Sequence, residues 1–114
     1  MTQELYGVRL IDDGHVRSEF QGPRQVDPLV DLVNYLIREY DLESVIEPLP
    51  YIPGTMRPII HDQTTHGERK MKQPRELVNG YYLELNLSAE QKQREIERLV
   101  RHFPFKAEFT GKWG

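Results

Sequence analysis

Cysteine is absent from the 114 residues, which removes disulfides, thiol nucleophiles and cysteine-ligated zinc together. Long apolar runs are also missing. No stretch approaches the roughly 20 residues that a membrane-spanning helix needs. The opening MTQELYGVRL lacks a basic region followed by an apolar one, so no secretory signal is expected and the cytoplasm is the default compartment. Ser18, Ser44 and Ser88 stand outside any G-x-S-x-G context, and no glycine-rich phosphate loop or dinucleotide fingerprint occurs. Nucleophilic and nucleotide-dependent catalysis therefore have no foothold. Positive charge is not in excess either: 15 Lys and Arg stand against 18 Asp and Glu, a net charge of −3. A surface that grips nucleic acid over its whole extent is excluded, whereas a local basic patch is not.

What remains is a folding composition. Hydrophobic residues make up 38% and charged residues 29%, which suits one domain spanning 1–114 with a single core. Residues 5–11 and 15–20 flank Asp12, Asp13 and Gly14 and predict a hairpin, with Tyr6, Val8 and Leu10 on one face and Val16, Ser18 and Phe20 together on the second strand. Asp27 and Pro28 predict a helix start. Leu29, Leu32, Val33, Leu36 and Tyr40 recur as a buried stripe behind them. Residues 44–47 read as a short edge strand that frays into Pro48, Pro50 and Pro53.

The clearest signal lies at 80–103, GYYLELNLSAEQKQREIERLVRHF. Tyr81, Leu83, Leu85 and Leu87 alternate with Tyr82, Glu84 and Asn86, the period of a strand with one face buried. Ser88 and Gln91 then form a capping-box pair, and Ile96, Leu99, Val100 and Phe103 mark a helical stripe that Pro104 ends. Phe105, Ala107 and Phe109 alternate in a terminal strand, and Trp113 near the end predicts a docked tail.

Strand–helix–strand thus occurs twice. The pattern predicts an α+β fold: a two-layer sandwich of a four- to five-stranded, mainly antiparallel sheet with two helices on one face, ferredoxin-like (βαββαβ) with an extra strand from the N-terminal hairpin. Residues 53–79 are expected to form a long flexible loop, of the kind that is often functional.

Three groups of residues carry candidate chemistry. The uncovered sheet face is expected to show Tyr82, Glu84 and Asn86 beside Lys106, Glu108, Thr110 and Arg9, a surface on which an unpaired base could stack. The RNA-recognition-motif signature is not met there. Asn79 replaces the basic residue before Gly80, Tyr82 replaces a small residue, and Leu83 replaces an aromatic. The long loop carries Arg57, His61, His66, Arg69, Lys70, Lys72 and Arg75, a cationic segment suited to phosphates by counterion release. His61, Asp62 and His66, with Glu84 at a distance, form the alternative: a metal-dependent phosphoesterase or nuclease. The spacing of the two histidines does not put both rings on one helical face, and Asn86 stands where such a strand motif carries lysine.

The sequence thus favours a small non-catalytic binding or regulatory module acting through an open sheet face and a basic loop, with no resident metal or cofactor. Its expected partner is a protein, including a second copy of itself through Trp113 or an exposed edge, or single-stranded nucleic acid. The polar start of the second helix, with Glu90–Arg94 and Glu97–Arg101 at i, i+4 spacing, is expected to be a solvated or docking face.

Overall fold

A computed structural model describes residues 4–52 and 58–114. It is a small mixed α+β chain of antiparallel sheets and, among the described residues, three helices. By contact the chain divides into two units, one of residues 1–32 and 88–114 and the other of residues 33–87. No helix of the described residues is long and apolar enough to cross a membrane.

The first unit is built on β1 (Tyr6–Asp12), β2 (His15–Gly22) and β8 (Lys106–Gly111), in the order β2-β1-β8. Asp13 at φ 51° and Gly14 at φ 80° make the two-residue hairpin turn, the left-handed pair that matches the natural strand twist. Tyr6, Val8 and Leu10 share a face as expected, and Val8 and Leu10 are fully buried.

On β2 the expected face is half right. The register slips between Leu10 and Ile11, so Ser18 and Phe20 lie opposite Leu10 and Val8 while Val16 lies opposite Ile11. The extra residue of this bulge reverses the side on which Val16 emerges, and Val16 is 58% exposed. On that outer face Arg9 sits between Glu19 and Glu108, its Nε donating to Glu19 at 2.6 Å and its Nη1 to Glu108 at 3.1 Å.

Helix α3 (Ala89–Val100) belongs to the same unit and starts as predicted. Ser88 Oγ accepts the Gln91 N–H at 3.1 Å, and Gln91 Oε1 accepts the Ser88 N–H at 3.0 Å. Ile96, Leu99 and Val100 are buried. The helix's polar start is not wholly solvated, however. Lys92 and Glu95 are only 8% and 6% exposed, because Lys92, Glu95, Ile96 and Leu99 fall on one face at i, i+3, i+4, i+7. The outer face keeps the ion pairs Glu90–Arg94 at 2.9 Å and Glu97–Arg101 at 3.8 Å.

Trp113 is buried, its ring edge-on to Tyr6 and Phe109 at centroid distances of 5.9 and 5.6 Å, and its carbonyl accepts Gln93 Nε2 at 3.2 Å. The tail therefore docks on its own unit, and self-association through Trp113 loses the exposed ring that it required.

Helix α1 (Val26–Tyr40) carries the predicted stripe, with Leu29, Leu32, Val33 and Leu36 fully buried. Its start lies two residues earlier than predicted, at Val26 rather than Pro28. Asp27 sits inside the first turn and accepts the Arg24 N–H at 2.9 Å. Residues 44–46 are not a strand but the end of α2 (Leu42–Ile46), and Glu47 is its C-cap. Asp41, at φ 54°, takes the Ser44 N–H on its carbonyl at 3.2 Å and the Ser44 hydroxyl on its carboxylate at 2.6 Å. Leu42 and Ile46 then bury at i, i+4, and that local turn outweighs the β-branched residues that suggested a strand.

The rest of the second unit is β-structure drawn largely from the segment read as a loop. The strands β3 (Ile60–His61), β4 (Thr65–His66), β5 (Arg69–Lys70), β6 (Pro74–Glu76) and β7 (Tyr82–Glu84) form a sheet in the order β3-β7-β6 and a separate ribbon β4-β5. The strand predicted over 81–87 is thus short: Leu87 N–H turns back to the Leu85 carbonyl at 2.8 Å, a three-residue turn that ends the extended run.

Among the described residues no pairing joins β1 to β7. Both edges of β1 are taken by β2 and β8, and both edges of β7 by β3 and β6. The strands therefore do not assemble into the one ferredoxin-like sheet that the pattern predicts.

Candidate functional site

The second unit gathers most of the candidate residues into one hairpin and the strand that holds it. In the ribbon Thr65 pairs with Lys70 and His66 with Arg69, with Gly67 at φ 63° in the turn. The Met71 N–H donates to the Thr64 carbonyl at 2.9 Å and extends the ladder by one rung. Thr65, His66, Arg69, Lys70 and Lys72 are all exposed, whereas Met71 is 7% exposed. Alternation explains the contrast: Met71 turns its thioether inward, so Lys70 and Lys72, on either side of it, turn out.

Glu84 fixes the base of this hairpin. The sequence puts it on the wet face of its strand; the structure buries it completely. Its Oε1 accepts the Lys72 N–H at 3.0 Å and its Oε2 the Gln73 N–H at 2.9 Å. Those two amides lie where the chain leaves β5 and enters β6, and Pro74 next to them has no N–H of its own. A carboxylate is the acceptor that can serve two adjacent donors with charge-assisted bonds. The burial goes with the Lys72–Gln73 backbone, whose amides lie against the carboxylate.

The remaining candidates separate. Tyr82 is half-buried between its cross-strand neighbours His61 and Glu76. Arg75 is half-buried opposite Leu83, and Asn86 is exposed beyond the end of β7. Arg57 lies outside the described residues. The surface expected to combine Tyr82, Glu84 and Asn86 with Arg9, Lys106, Glu108 and Thr110 is thus divided between two sheets. On the β2-β1-β8 side the outer rungs are Gln21–Gly7–Thr110, Glu19–Arg9–Glu108 and Val16–Ile11–Lys106. These rungs hold no aromatic on which a base could stack.

His61, Asp62 and His66 do come together. His61 is buried, its Nδ1 lies 3.1 Å from Asp62 Oδ1 without hydrogen-bond alignment, and its ring meets that of His66 edge-on at 5.8 Å. Among the described residues, however, no group of three or more His, Cys, Asp or Glu side chains is placed to hold a metal ion. Glu84, the proposed fourth member of a metal site, has both oxygens committed to backbone donors.

Negative charge collects elsewhere in the unit. The Tyr81 hydroxyl is pushed above the usual tyrosine range, first by burial and then by Glu43, Glu47 and Asp62. Ser44, Glu47, Pro48 and Leu49 line a shallow open depression of about 650 Å³ without a converging set of polar groups.

Sequence reasoning missed Met71 and Glu84 as anchors. A carboxylate at an alternating position reads as solvent-facing by default, and only the two donor amides ahead of Pro74 point to its real partners. Comparison with protein-family models, with curated proteins and with solved structures finds no match to this chain.

Proposed function

We propose that this chain is a small non-catalytic binding module that takes up an anionic partner on the β4–β5 hairpin. The observation that carries this reading is the Glu84 clamp. Two backbone amides at the foot of a cationic hairpin are tied to a fully buried carboxylate, so Lys70 and Lys72 are presented from a fixed base. Neither lysine takes part in an ion pair among the described residues. Over residues 65–72 the charged side chains are Glu68 against Arg69, Lys70 and Lys72, in a chain whose net charge is −3. A positive patch on a negative body orients an anionic partner as well as attracting it.

The sheet β2-β1-β8 offers weaker support for a docking role, because Arg9 is already neutralised by Glu19 and Glu108. The test is retention on immobilised heparin over a salt gradient, comparing the wild type with R69E/K70E/K72E. Retention at low salt that the triple variant loses is expected. A wild type that flows through at low salt overturns the reading.

A further inference from the structure

We infer that Asn79 is a site of spontaneous covalent modification. The Gly80 amide closes on the Asn79 side chain, expels ammonia and leaves aspartate or isoaspartate in the turn between β6 and β7. The chemistry is independent of any partner that the hairpin takes up.

The chain has three asparagines, Asn34, Asn79 and Asn86, followed by tyrosine, glycine and leucine. Ring closure brings the next residue's nitrogen against the asparagine Cγ, and a side chain on that residue obstructs the approach. Asn34 also lies inside α1, where the helical backbone is fixed by its hydrogen bonds. Gly80 is exposed, and apart from its chain neighbours no described atom lies within 4 Å of the position a Cβ would take.

The turn also prepares the amide that is attacked. Gly80 N–H donates to the Leu77 carbonyl at 3.0 Å and Leu77 N–H to the Tyr81 carbonyl at 2.7 Å, which closes the turn. Inside it the Tyr81 N–H donates to Asn79 Oδ1 at 3.0 Å. That oxygen is where negative charge develops when a nitrogen adds to Cγ, so a backbone donor already stands at the oxyanion position. At the other end of the amide, Nδ2 is buried and, among the described residues, has no hydrogen-bond partner. Its departure removes an unsatisfied buried donor. One bond opposes the attack, because the Gly80 nitrogen must first leave the Leu77 carbonyl.

The atoms balance with water as the sole co-reactant. Gly80 N–H gives its proton to hydroxide, and the nitrogen forms a bond to Cγ. The Cγ–Nδ2 bond then breaks, and ammonia leaves with a proton taken from water. Water opens the resulting five-membered imide. Attack at Cγ gives aspartate, and attack at the main-chain carbonyl gives isoaspartate, with one more carbon in the main chain.

The experiment incubates the full chain and a synthetic peptide of residues 76–92 in ¹⁸O-water, at neutral and at mildly alkaline pH. Trypsin releases the same peptide from the chain by cleavage after Arg75 and Lys92, so Asn79 and Asn86 are read together by mass spectrometry. Label is expected in residue 79 as both aspartate and isoaspartate, and faster at the higher pH. The rate in the folded chain should lie within about tenfold of the free peptide, the cost of opening one hydrogen bond. Asn34 and Asn86 should stay unlabelled over the same interval.

An Asn79 that stays intact in the folded chain while the peptide converts would overturn the inference. Aspartate without isoaspartate, or a rate that does not rise with pH, would replace ring closure by direct hydrolysis and overturn it too. Equal labelling of Asn86 would remove the part assigned to Gly80 and so overturn it as well. Unchanged emission of Trp113 through the incubation certifies that the chain stays folded.

Discussion

Glu84→Gln is the sharpest perturbation of this molecule because it changes one atom in a side chain that solvent does not reach. In the wild type each carboxylate oxygen serves one backbone donor, Lys72 N–H at 3.0 Å and Gln73 N–H at 2.9 Å. The amide keeps one acceptor and turns an NH₂ group toward the other donor. One bond to a charged acceptor, about 1.5–3 kcal/mol, is then lost outright, and the surviving bond falls to neutral strength. The expected cost is about 2–4 kcal/mol in a chain whose whole stability is on the order of 10 kcal/mol.

Urea denaturation followed by the emission of the single tryptophan, Trp113, measures the cost directly. Amide hydrogen exchange supplies the local half of the test: Lys72 and Gln73 should be protected in the wild type and exchange much faster in the variant. A urea midpoint indistinguishable from wild type, with those two amides unchanged, would refute the clamp. The fixed presentation of the hairpin would go with it.

Other outcomes follow from the same geometry. Gly111 has φ 62°, and a Cβ there would overlap the Leu5 carbonyl, so Gly111→Ala should cost about 2 kcal/mol or more in thermal or urea unfolding. Gly14→Ala, with φ 80° but open space around it, should cost only about 1 kcal/mol, and the reverse order would contradict the packing described. Ser88→Ala should cost about 1 kcal/mol by loss of the capping box, measurable as a lower urea midpoint.

Burial raises Glu95 above the ordinary carboxyl range, with the charges of Arg98 and Arg94 opposing the shift only in part. The contribution of this group to stability is therefore fully present below its unfolded-state pKa and declines as pH rises through the folded one. Glu95→Gln, neutral at every pH, should gain on the wild type as pH rises from about 4 to about 7 in parallel unfolding curves. A gap that narrows over that range would reverse the assignment.

The parts of the fold that were legible in the sequence are those fixed by neighbours along the chain. The Asp13–Gly14 turn, the Ser88–Gln91 box and the stripes Leu29–Leu32–Leu36 and Ile96–Leu99 each follow from spacing alone. What escaped was decided by distant partners or by single extra residues. The bulge after Leu10 turned Val16 outward, and Asp41 in a left-handed conformation opened a helix where a strand was expected over 44–47.

The candidate site was legible by composition and not by role. Arg69, Lys70 and Lys72 stood out as charge, and the structure does raise them on one hairpin. Glu84 was read as solvent-facing because alternation along β7 cannot show that the Lys72–Gln73 backbone lies against its carboxylate. The pairing of β1 with β8 was foreseeable from two alternating strands, but strands of two or three residues in 60–76 leave too short a period to be read.

Backbone amide chemical-shift mapping of the ¹⁵N-labelled protein, titrated with a heparin-derived oligosaccharide at low salt, addresses the functional claim most directly. Perturbations are expected to concentrate on residues 64–73 of the hairpin and to spread to Glu84, and added salt should reverse them. Perturbations confined to Arg9, Glu19, Lys106 and Glu108 on the other sheet, or none at all, would contradict it.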